Sequence, residues 1–491
     1  RRPLDHADLH PREPGSASGC RRNTPSARQR WWGEPKAVKP VKTVKPMKPT
    51  KRVGAQQVLR AIAKESRSLV KALIEEGERS EVGVLLVGGP VRDLLLGRPL
   101  RDVDLIVEPA PDRSAEELAR AAAPEGVRVV THPRFGTVRM EGKGGVVDLA
   151  TVRAERYEHP GALPTVGEGD LEDDLTRRDF TVNGLAIPLT PVARRGRPAI
   201  VDPGEGLRDL EDRVLRVFHK QSFHDDPTRA LRAARLVPRL GFTVSRGSRS
   251  ALRSALRDGA FGGVSGERLR AEIGRLFEDP VQGLDPSRAL RLLANWHVLG
   301  ALEPGLTLPS ESVAPLRRLG RAIADPPWDA ARRRPWVMGL MVWMAPLDTW
   351  LRRRALHRLA VRGEIAAKIV GFPKVRDLWL RKIGRARGRG TTDAALSDAD
   401  DEELLALLAW APPHLRRRIQ RYALQDRRAT LPISGDDLLA IGIRGPAVGR
   451  ALARIRIAFL DRAVRDREEA LALAREIARR GGRKKTASRE K

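Results

Sequence analysis

The sequence predicts an α+β protein in which a small sheet-containing unit is followed by a long, all-helical region. Between residues 55 and 215, short apolar runs with strand character alternate with helical patterns. Beyond residue 216, amphipathic helical patterns rich in Leu, Ala and Arg follow one another, separated by Pro and Gly. Since 491 residues are too many for one compact core, we expect several linked units.

Short apolar runs in the first region carry the strand signal, because they are rich in β-branched residues and bounded by polar or Gly-containing segments. The predicted strands are Val84–Val87, Val103–Val107, Val127–Val130, Thr137–Met140 and Val146–Val152.

The charge balance favours a polyanionic partner. Lys and Arg total 92 against 62 Asp and Glu, which gives a formal net charge of +30. Nucleic acid is therefore the leading class of partner. On charge alone, a basic surface that is only solvated is the alternative.

Cysteine usage and hydropathy indicate a cytoplasmic protein. The single cysteine, Cys20, excludes an intrachain disulfide and a zinc site built on cysteines, which fits a reducing compartment. The longest apolar stretch, Trp336–Leu347, is well short of the roughly 20 residues that span a bilayer. We interpret it as a buried helix and expect no membrane segment.

Both ends of the chain are basic and lack apolar periodicity. We expect residues 1–52, rich in Pro, Lys, Arg, Ser and Gly, and residues 479–491 to be disordered. A Lys recurs at every third position from Lys36 to Lys51, which would align these side chains on one edge of a polyproline II helix. This edge could contact phosphates. Alternatively, the segment is a solubilising tail or lies upstream of the true start.

A glycine pair follows the first predicted strand. Gly88 and Gly89 come directly after Val84–Val87 and precede a short helical pattern that contains Arg92. Without Cβ atoms, the backbone at such a junction can approach a phosphate, and Arg92 adds positive potential. An ordinary tight turn is the alternative reading of the pair alone.

Two aspartates alternate along the next predicted strand. Asp102 and Asp104 share one face, so their carboxylates converge on one point. Oxygen ligands at this spacing suit Mg²⁺, which could activate an attacking hydroxyl and neutralise charge on phosphates. An exposed strand face is the alternative. Asp148 lies inside the apolar run Val146–Val152, where a carboxylate needs a partner, and is the candidate third catalytic carboxylate.

These features together resemble the polymerase-β-like nucleotidyltransferase superfamily, and later segments narrow the family. Arg177–Ala186 resembles the second motif of class II CCA-adding enzymes and bacterial poly(A) polymerases, with Gly184 where alanine is usual. Asp202–Leu210 is similar to their hinge between head and neck. His224–Leu236 resembles their base-selecting helix, with Asp225 where glutamate is usual.

The resemblance, which covers roughly residues 80–300, implies an architecture. We expect a head with about five strands at residues 55–215 and a helical neck with the base-selecting helix at 216–285. A helical body and tail at 286–478 would bind tRNA. Within the tail, Ser434–Pro446 is similar to a helical element of full-length members.

The resemblance also implies roles for cationic and polar residues. Arg178 would hold triphosphate oxygens, and Asn183 would help to fix the sugar. Arg229, Arg232 and Arg235 recur at helical spacing and would present one cationic face to the nucleotide. A solvated helix face is the alternative for this arginine stripe.

Asp226 and Arg229 would select the incoming base. Cytosine and adenine each place an amine donor beside a ring-nitrogen acceptor, so an Asp can accept from the amine and an Arg can donate to the ring nitrogen. Uracil and guanine present a carbonyl beside a ring N–H. Their carbonyl would therefore face the acceptor of Asp226, and their N–H would face the donor of Arg229. An ordinary intrahelical ion pair between the two residues is the alternative.

The implied function is addition of CCA, or of its terminal A, to tRNA 3′ ends from CTP and ATP with Mg²⁺, releasing pyrophosphate. The segment Tyr157–Gly169 is similar to a loop that CC-only relatives lack, which favours complete CCA or A addition. The alternatives are a bacterial poly(A) polymerase, an enzyme that adds only part of CCA, and a catalytically silent RNA-binding protein. We expect neither DNA nor a membrane as partner.

Overall fold

The computed structural model describes residues 53–487 apart from 101, 110–112, 133–135, 143–144, 280–283 and 329–332. The predictions for residues 1–52, including the Lys repeat, and for residues 488–491 lie outside the described residues.

The sheet-containing unit and its flanking segments hold all the strands of the described residues. They are β1 (Gly83–Val87), β2 (Asp104–Glu108), β3 (Arg128–His132), β4 (Thr137–Gly142), β5 (Gly145–Thr151), β6 (Ala154–Arg156), β7 (Thr165–Gly167), β8 (Ala186–Pro188), β9 (Val214–Leu215) and β10 (Thr243–Val244).

The main sheet has six strands in the order β3-β4-β5-β2-β1-β8. All five predicted strands are present, with ends shifted by one or a few residues. The sixth, β8, was not predicted, because three residues that include a proline are too short to show a strand period. It pairs antiparallel with β1 through Leu85–Val87.

Helices cover the sheet and follow it along the chain. In the first 215 residues they are α1 (Ala55–Ala61), α2 (Lys64–Arg79), α3 (Gly89–Leu95), α4 (Ala115–Ala122), α5 (Leu171–Thr176), α6 (Pro191–Arg194) and α7 (Gly206–Glu211). Helices α2 and α4 pack on β5 and on each other. Leu85 and Val87 of β1 form a hydrophobic core with Leu175 of α5 and Ala193 of α6.

The next helices form the predicted neck: α8 (Ser222–Asp225), α9 (Thr228–Leu240), α10 (Arg246–Arg257) and α11 (Gly266–Glu278). Strand β9, at the end of the predicted head, pairs in parallel with β10, which follows α9. This pairing fixes the predicted base-selecting helix α9 to the last residues of the predicted head.

The remaining helices are α12 (Pro286–Asn295), α13 (Val298–Leu302), α14 (Ser310–Ala324), α15 (Pro335–Met344), α16 (Thr349–Arg358), α17 (Gly363–Arg385), α18 (Arg389–Leu396), α19 (Asp401–Trp410), α20 (Pro413–Leu424), α21 (Gly435–Ala440), α22 (Pro446–Leu460) and α23 (Arg467–Ala487). The α+β prediction is confirmed. The apolar stretch Trp336–Leu347 forms the buried helix α15, which contacts α11, α14, α17 and α19. Among the described helices, none is long and apolar enough to cross a bilayer.

The tail ends in a helix that is longer than expected. Helix α23 continues to Ala487, whereas we expected disorder from residue 479. Arg, Lys and Ala have high helix propensity, which favours a helix in this segment, whereas Gly481 and Gly482 disfavour it. The predicted tail element Ser434–Pro446 spans α21 and the start of α22, with Ser434 capping α21.

Candidate active site

A cleft of about 450 Å³ lies between the sheet and helix α9. Eleven of the twelve predicted site residues line it: Gly88, Gly89, Arg92, Asp102, Asp104, Arg178, Asn183, Asp226, Arg229, Arg232 and Arg235. The fold thus brings residues from four separate sequence segments to one place. Their roles stay predictions.

The glycine turn after β1 allows Arg178 to approach the backbone. Gly88 has a φ of +76°, a conformation that favours glycine, and a Cβ atom there would lie 2.8 Å from Arg178 Nη1. Arg178 also donates from Nη2 to Asp174 Oδ2 at 2.8 Å. The Arg178 guanidinium is therefore held beside the glycine turn, where a phosphate could accept from it.

Asp174 fixes two consecutive arginines at the cleft. Its carboxylate is fully buried and pairs with both Arg177 and Arg178. Burial works against its charge, but Arg178 and Arg177 outweigh burial and lower the pKa of Asp174. Arg177 also donates to Glu155 at 2.8 Å.

Asp102 and Asp104 are the cleft carboxylates without a direct protein partner. Within the described part of the chain, neither side chain makes a hydrogen bond or an ion pair. Burial raises the pKa of Asp104 to about 6; Arg178 opposes this shift, and Asp148 and Asp102 add to it. Arg178 compensates only part of the charge of an ionised Asp104, and a bound cation would supply the rest.

Asp148 is the predicted site residue that does not line the cleft. It lies opposite Asp104 in the parallel pairing of β2 with β5, so it is close to the other two carboxylates along the sheet. However, its side chain is 42% exposed and pairs with Arg139 through two hydrogen bonds of 2.7 and 2.9 Å. The partner that the Asp148 carboxylate was expected to need is thus Arg139, on the neighbouring strand β4.

The arginine stripe of α9 faces the cleft and is held by buried acids. Arg232 pairs with Asp179 at 3.0 Å, and Arg235 pairs with Asp279 at 3.2 Å. Burial disfavours the charge of Asp179, but Arg232 and other hydrogen-bonding and charged neighbours lower its pKa overall. These ion pairs hold the stripe beside the cleft, and its contact with a nucleotide stays a prediction.

Asn183 links Arg92 on α3 to Asp179, the partner of Arg232 on α9. Its Oδ1 accepts from Arg92 Nη1 at 2.6 Å, and its Nδ2 donates to Asp179 Oδ1 at 2.8 Å. Arg92 is buried and also donates to Asp93. The polar atoms of Asn183 thus already have protein partners, and its predicted contact with the sugar is not tested by this geometry.

Asp226 lies between α8 and α9 with an extended backbone, and Arg229 follows three residues later in the first turn of α9. The predicted base-selecting helix is thus interrupted at Asp226 and Pro227. The two side chains form no ion pair with each other among the described contacts. Asp226 Oδ1 accepts from the Thr228 amide at 3.0 Å and from Arg268 at 2.9 Å. Arg229 donates to Ser222 Oγ and to the Arg177 carbonyl. The intrahelical ion pair is therefore not the arrangement observed, and both side chains reach the cleft.

Sequence reasoning missed the acids that hold the arginines. Asp174, Asp179 and Glu155 each pair with a cleft arginine, and Tyr157 lines the cleft with its hydroxyl donating to Glu155 at 3.1 Å. The available signal was local: Asp174 and Asp179 lie within five residues of Arg177 and Arg178.

Burial raises the pKa of Tyr157 to about 12, so this hydroxyl stays protonated.

Comparisons with known proteins identify the family. The family described as "Poly A polymerase head domain" matches residues 84–216, and its end lies next to the predicted end of the head at 215. The A-adding tRNA nucleotidyltransferase of Geobacter sulfurreducens is 31% identical over 430 residues, which are 85% of this chain and 48% of that protein. The chain thus spans about half the length of this relative.

Other relatives are matched over nearly their full length. The A-adding tRNA nucleotidyltransferase of Halalkalibacterium halodurans is 30% identical over 85% of this chain and 93% of its own. The CC-adding tRNA nucleotidyltransferase of Deinococcus radiodurans is 33% identical over 78% and 86%. A solved structure of a CCA-adding enzyme superimposes with a TM-score of 0.70 at 28% identity, covering 85% of this chain and 97% of that one.

The chain belongs to the family of class II CCA-adding tRNA nucleotidyltransferases and bacterial poly(A) polymerases. Nucleotidyltransferases of this family generally use a divalent metal. Asp102 and Asp104 fit such an ion, because they are neighbouring carboxylates without a protein partner. The described residues contain no cluster of three or more His, Cys, Asp or Glu that could hold a metal. The remaining ligands would thus be water and substrate phosphates.

Proposed function

We propose that the protein is a tRNA nucleotidyltransferase that adds the terminal A, or the complete CCA, to tRNA 3′ ends without a nucleic-acid template. The observation that carries this proposal is the cleft itself, which joins two unpartnered carboxylates to an arginine stripe held by buried acids. In this reaction the tRNA 3′-hydroxyl attacks the α-phosphate of the nucleotide in line, and pyrophosphate leaves.

The residues divide the work of this reaction. Asp102 and Asp104 would hold Mg²⁺, which supplies charge neutralisation at the phosphates and a lower pKa for the attacking hydroxyl. Arg178 beside the glycine turn and the α9 arginines bind the triphosphate oxygens, since guanidinium groups donate in pairs to phosphate. Their buried acidic partners keep the arginines extended into the cleft before the nucleotide arrives.

Asp226, just before α9, and Arg229, in its first turn, select the base. Their side chains are held by different partners, so each can present a polar atom to the nucleotide instead of neutralising the other. Asp226 Oδ2 has no hydrogen-bond partner among the described residues and is available to accept from the amine of adenine or cytosine.

Addition of A is favoured over addition of CC alone. The segment Tyr157–Gly169 is present and contains both the connection from β6 to β7 and β7 itself. The Geobacter and Halalkalibacterium relatives are both named as A-adding enzymes.

A poly(A) polymerase is not favoured, because the relatives matched over most of their length are named as tRNA nucleotidyltransferases. The basic helical region would bind tRNA through phosphates and shape, in the cytoplasm.

One experiment tests the proposal and separates its two forms. The protein is incubated with tRNAs that end before CCA, after the first C and after CC, with CTP and ATP supplied singly and together. We expect ATP to extend the tRNA ending in CC by one residue, and CTP to extend the shorter tRNAs only if the enzyme builds all of CCA. Long tails on unrelated RNA, or no pyrophosphate release, would contradict the proposal.

A further inference from the structure

Arg268 connects the segment Tyr157–Gly169 to Asp226, the predicted base-selecting carboxylate. It lies in the first turn of α11, and its side chain is 23% exposed. Its Nη1 donates to the carbonyl of Gly161 at 2.7 Å and to that of Ala162 at 3.3 Å. Its Nη2 donates to Asp226 Oδ1 at 2.9 Å. A single guanidinium therefore holds both groups.

The tip of the β6–β7 connection is docked on the neck by its backbone. The Gly161 amide donates to the His224 carbonyl at 3.0 Å. Gly161 has a φ of +75°, and a Cβ atom there would lie 3.0 Å from the backbone of Gly263 and Val264. A Cβ atom on Gly263 would lie 2.2 Å from the Pro160 carbonyl oxygen. This contact therefore requires glycine on both sides.

The Asp226 carboxylate depends on the same guanidinium. Its Oδ1 accepts from Arg268 and from the amide and hydroxyl of Thr228. When the tip leaves the neck, Arg268 loses two carbonyl acceptors and is free to reorient, so the strongest, charge-assisted contact of Asp226 changes with it. Arg268 itself does not line the cleft, whereas Asp226 does.

We propose that Arg268 is a positioning residue that couples docking of the Tyr157–Gly169 tip to placement of the Asp226 carboxylate, and thereby to the choice of the incoming base. The inference rests on the proposed function, because base choice is expressed only in nucleotide transfer. The coupling itself is a property of the folded chain and can be measured without substrate.

The kinetic test compares Arg268→Met with Arg270→Met. Arg270 lies on the same helix and also donates to a distant backbone carbonyl, that of Ala360 at 2.6 Å, but contacts neither the tip nor Asp226. On tRNA ending in CC, we expect Arg268→Met to raise kcat/KM for UTP and GTP relative to ATP by about tenfold. Arg270→Met should leave this ranking unchanged. An unchanged ranking in Arg268→Met, or the same change in both variants, overturns the proposal.

Hydrogen exchange of the nucleotide-free protein tests the coupling directly. We expect Arg268→Met to speed exchange of the amides of both Gly161 and Thr228. Gly161→Ala, which strains the tip without contacting Asp226, should also speed exchange at Thr228. Exchange at Thr228 that stays at the wild-type rate in Gly161→Ala overturns the coupling. If the wild-type protein transfers no nucleotide, the proposed function fails, while the exchange rates still decide the role of Arg268.

Discussion

Asp102 and Asp104 differ from the other acids that line the cleft, several of which have an arginine partner. We expect Asp102→Asn and Asp104→Asn each to reduce nucleotide transfer by at least tenfold, because an amide is a poor ligand for a hard cation. Binding of tRNA should change by less than about twofold, since phosphate contacts come from other residues. Single-turnover transfer and filter binding measure the two effects. Transfer above about a tenth of the wild-type rate would rule out the metal assignment.

The raised pKa of Asp104 also predicts a dependence of stability on pH. Its pKa is about 6 in the folded protein and 3.8 ordinarily, so the folded state binds this proton more tightly than the unfolded chain does. Ionisation of Asp104 therefore costs stability as pH rises from about 4 to about 6, and the cost is constant above that range. In EDTA at pH 8, we expect Asp104→Asn to raise the free energy of unfolding by on the order of 1 to 3 kcal/mol.

Urea unfolding at two pH values checks this sign. Near pH 4 the gain from Asp104→Asn should be largely lost, because Asp104 is protonated in the folded protein. Addition of Mg²⁺ at pH 8 should stabilise the wild-type protein and have a smaller effect on the variant. A variant that is no more stable than wild type at pH 8 would show that the Asp104 charge is compensated by the protein.

Asp226 provides the residue-scale test of base choice. We expect Asp226→Ala to raise incorporation of UTP and GTP relative to ATP, because the acceptor that disfavours their carbonyl groups is removed. General loss of stability would instead slow all four nucleotides alike. Competition assays with the four nucleotides measure the ranking. A folded variant with the wild-type ranking would exclude Asp226 from base recognition.

At the scale of elements, one departure from the family pattern has a packing explanation. Gly184, where the family usually has alanine, lies against Phe218: an added Cβ atom would be 2.3 Å from Phe218 Cζ and 2.9 Å from the Leu175 carbonyl oxygen. The φ of Gly184 is −95°, so the backbone itself accepts alanine. We expect Gly184→Ala to destabilise the protein by about 1 to 3 kcal/mol through overpacking.

A double variant identifies this cause. Phe218→Leu removes the ring atoms that approach Gly184, so it should recover part of the stability lost in Gly184→Ala, as measured by thermal unfolding. Additive losses in the double variant would mean that Phe218 does not explain the glycine.

At the scale of the whole molecule, the cleft lies between two parts of the chain that ion pairs hold together. Asp179 in the head pairs with Arg232 on α9, and Asp93 on α3 pairs with Arg239 at 3.6 Å. A nucleotide bound between the carboxylates and the arginine stripe would therefore bridge the sheet and the neck. This arrangement explains why residues from such distant segments are needed for one site.

The net charge of +30 predicts that tRNA binding depends strongly on salt. We expect the logarithm of the tRNA association constant to fall linearly with the logarithm of salt concentration, losing at least about tenfold between 50 and 200 mM. Asp104→Asn should keep the wild-type slope, because a carboxylate does not displace counterions from tRNA phosphates. An affinity that is independent of salt would contradict phosphate-dominated binding.

Strands and cleft residues that depend on neighbouring positions in the chain could be predicted from the amino-acid pattern. Strand periods located five of the six strands of the main sheet, and the spacing of Gly88–Gly89, Asp102–Asp104 and the α9 arginines placed most of the site. These patterns are local, because strand alternation and helical spacing act over only a few residues. Strand β8 was not predicted, because its three residues acquire strand geometry only by pairing with β1.

Which charged groups meet depends on packing between distant parts of the chain. Asp148 pairs with Arg139 because β4 and β5 are adjacent in register, which leaves it outside the cleft. Arg268 reaches both the Gly161 carbonyl and Asp226, 107 and 42 residues away in the chain. The sequence supplies many arginines and acids of similar character, and long-range packing alone selects the partner of each, because ion pairing depends on distance and burial rather than on spacing.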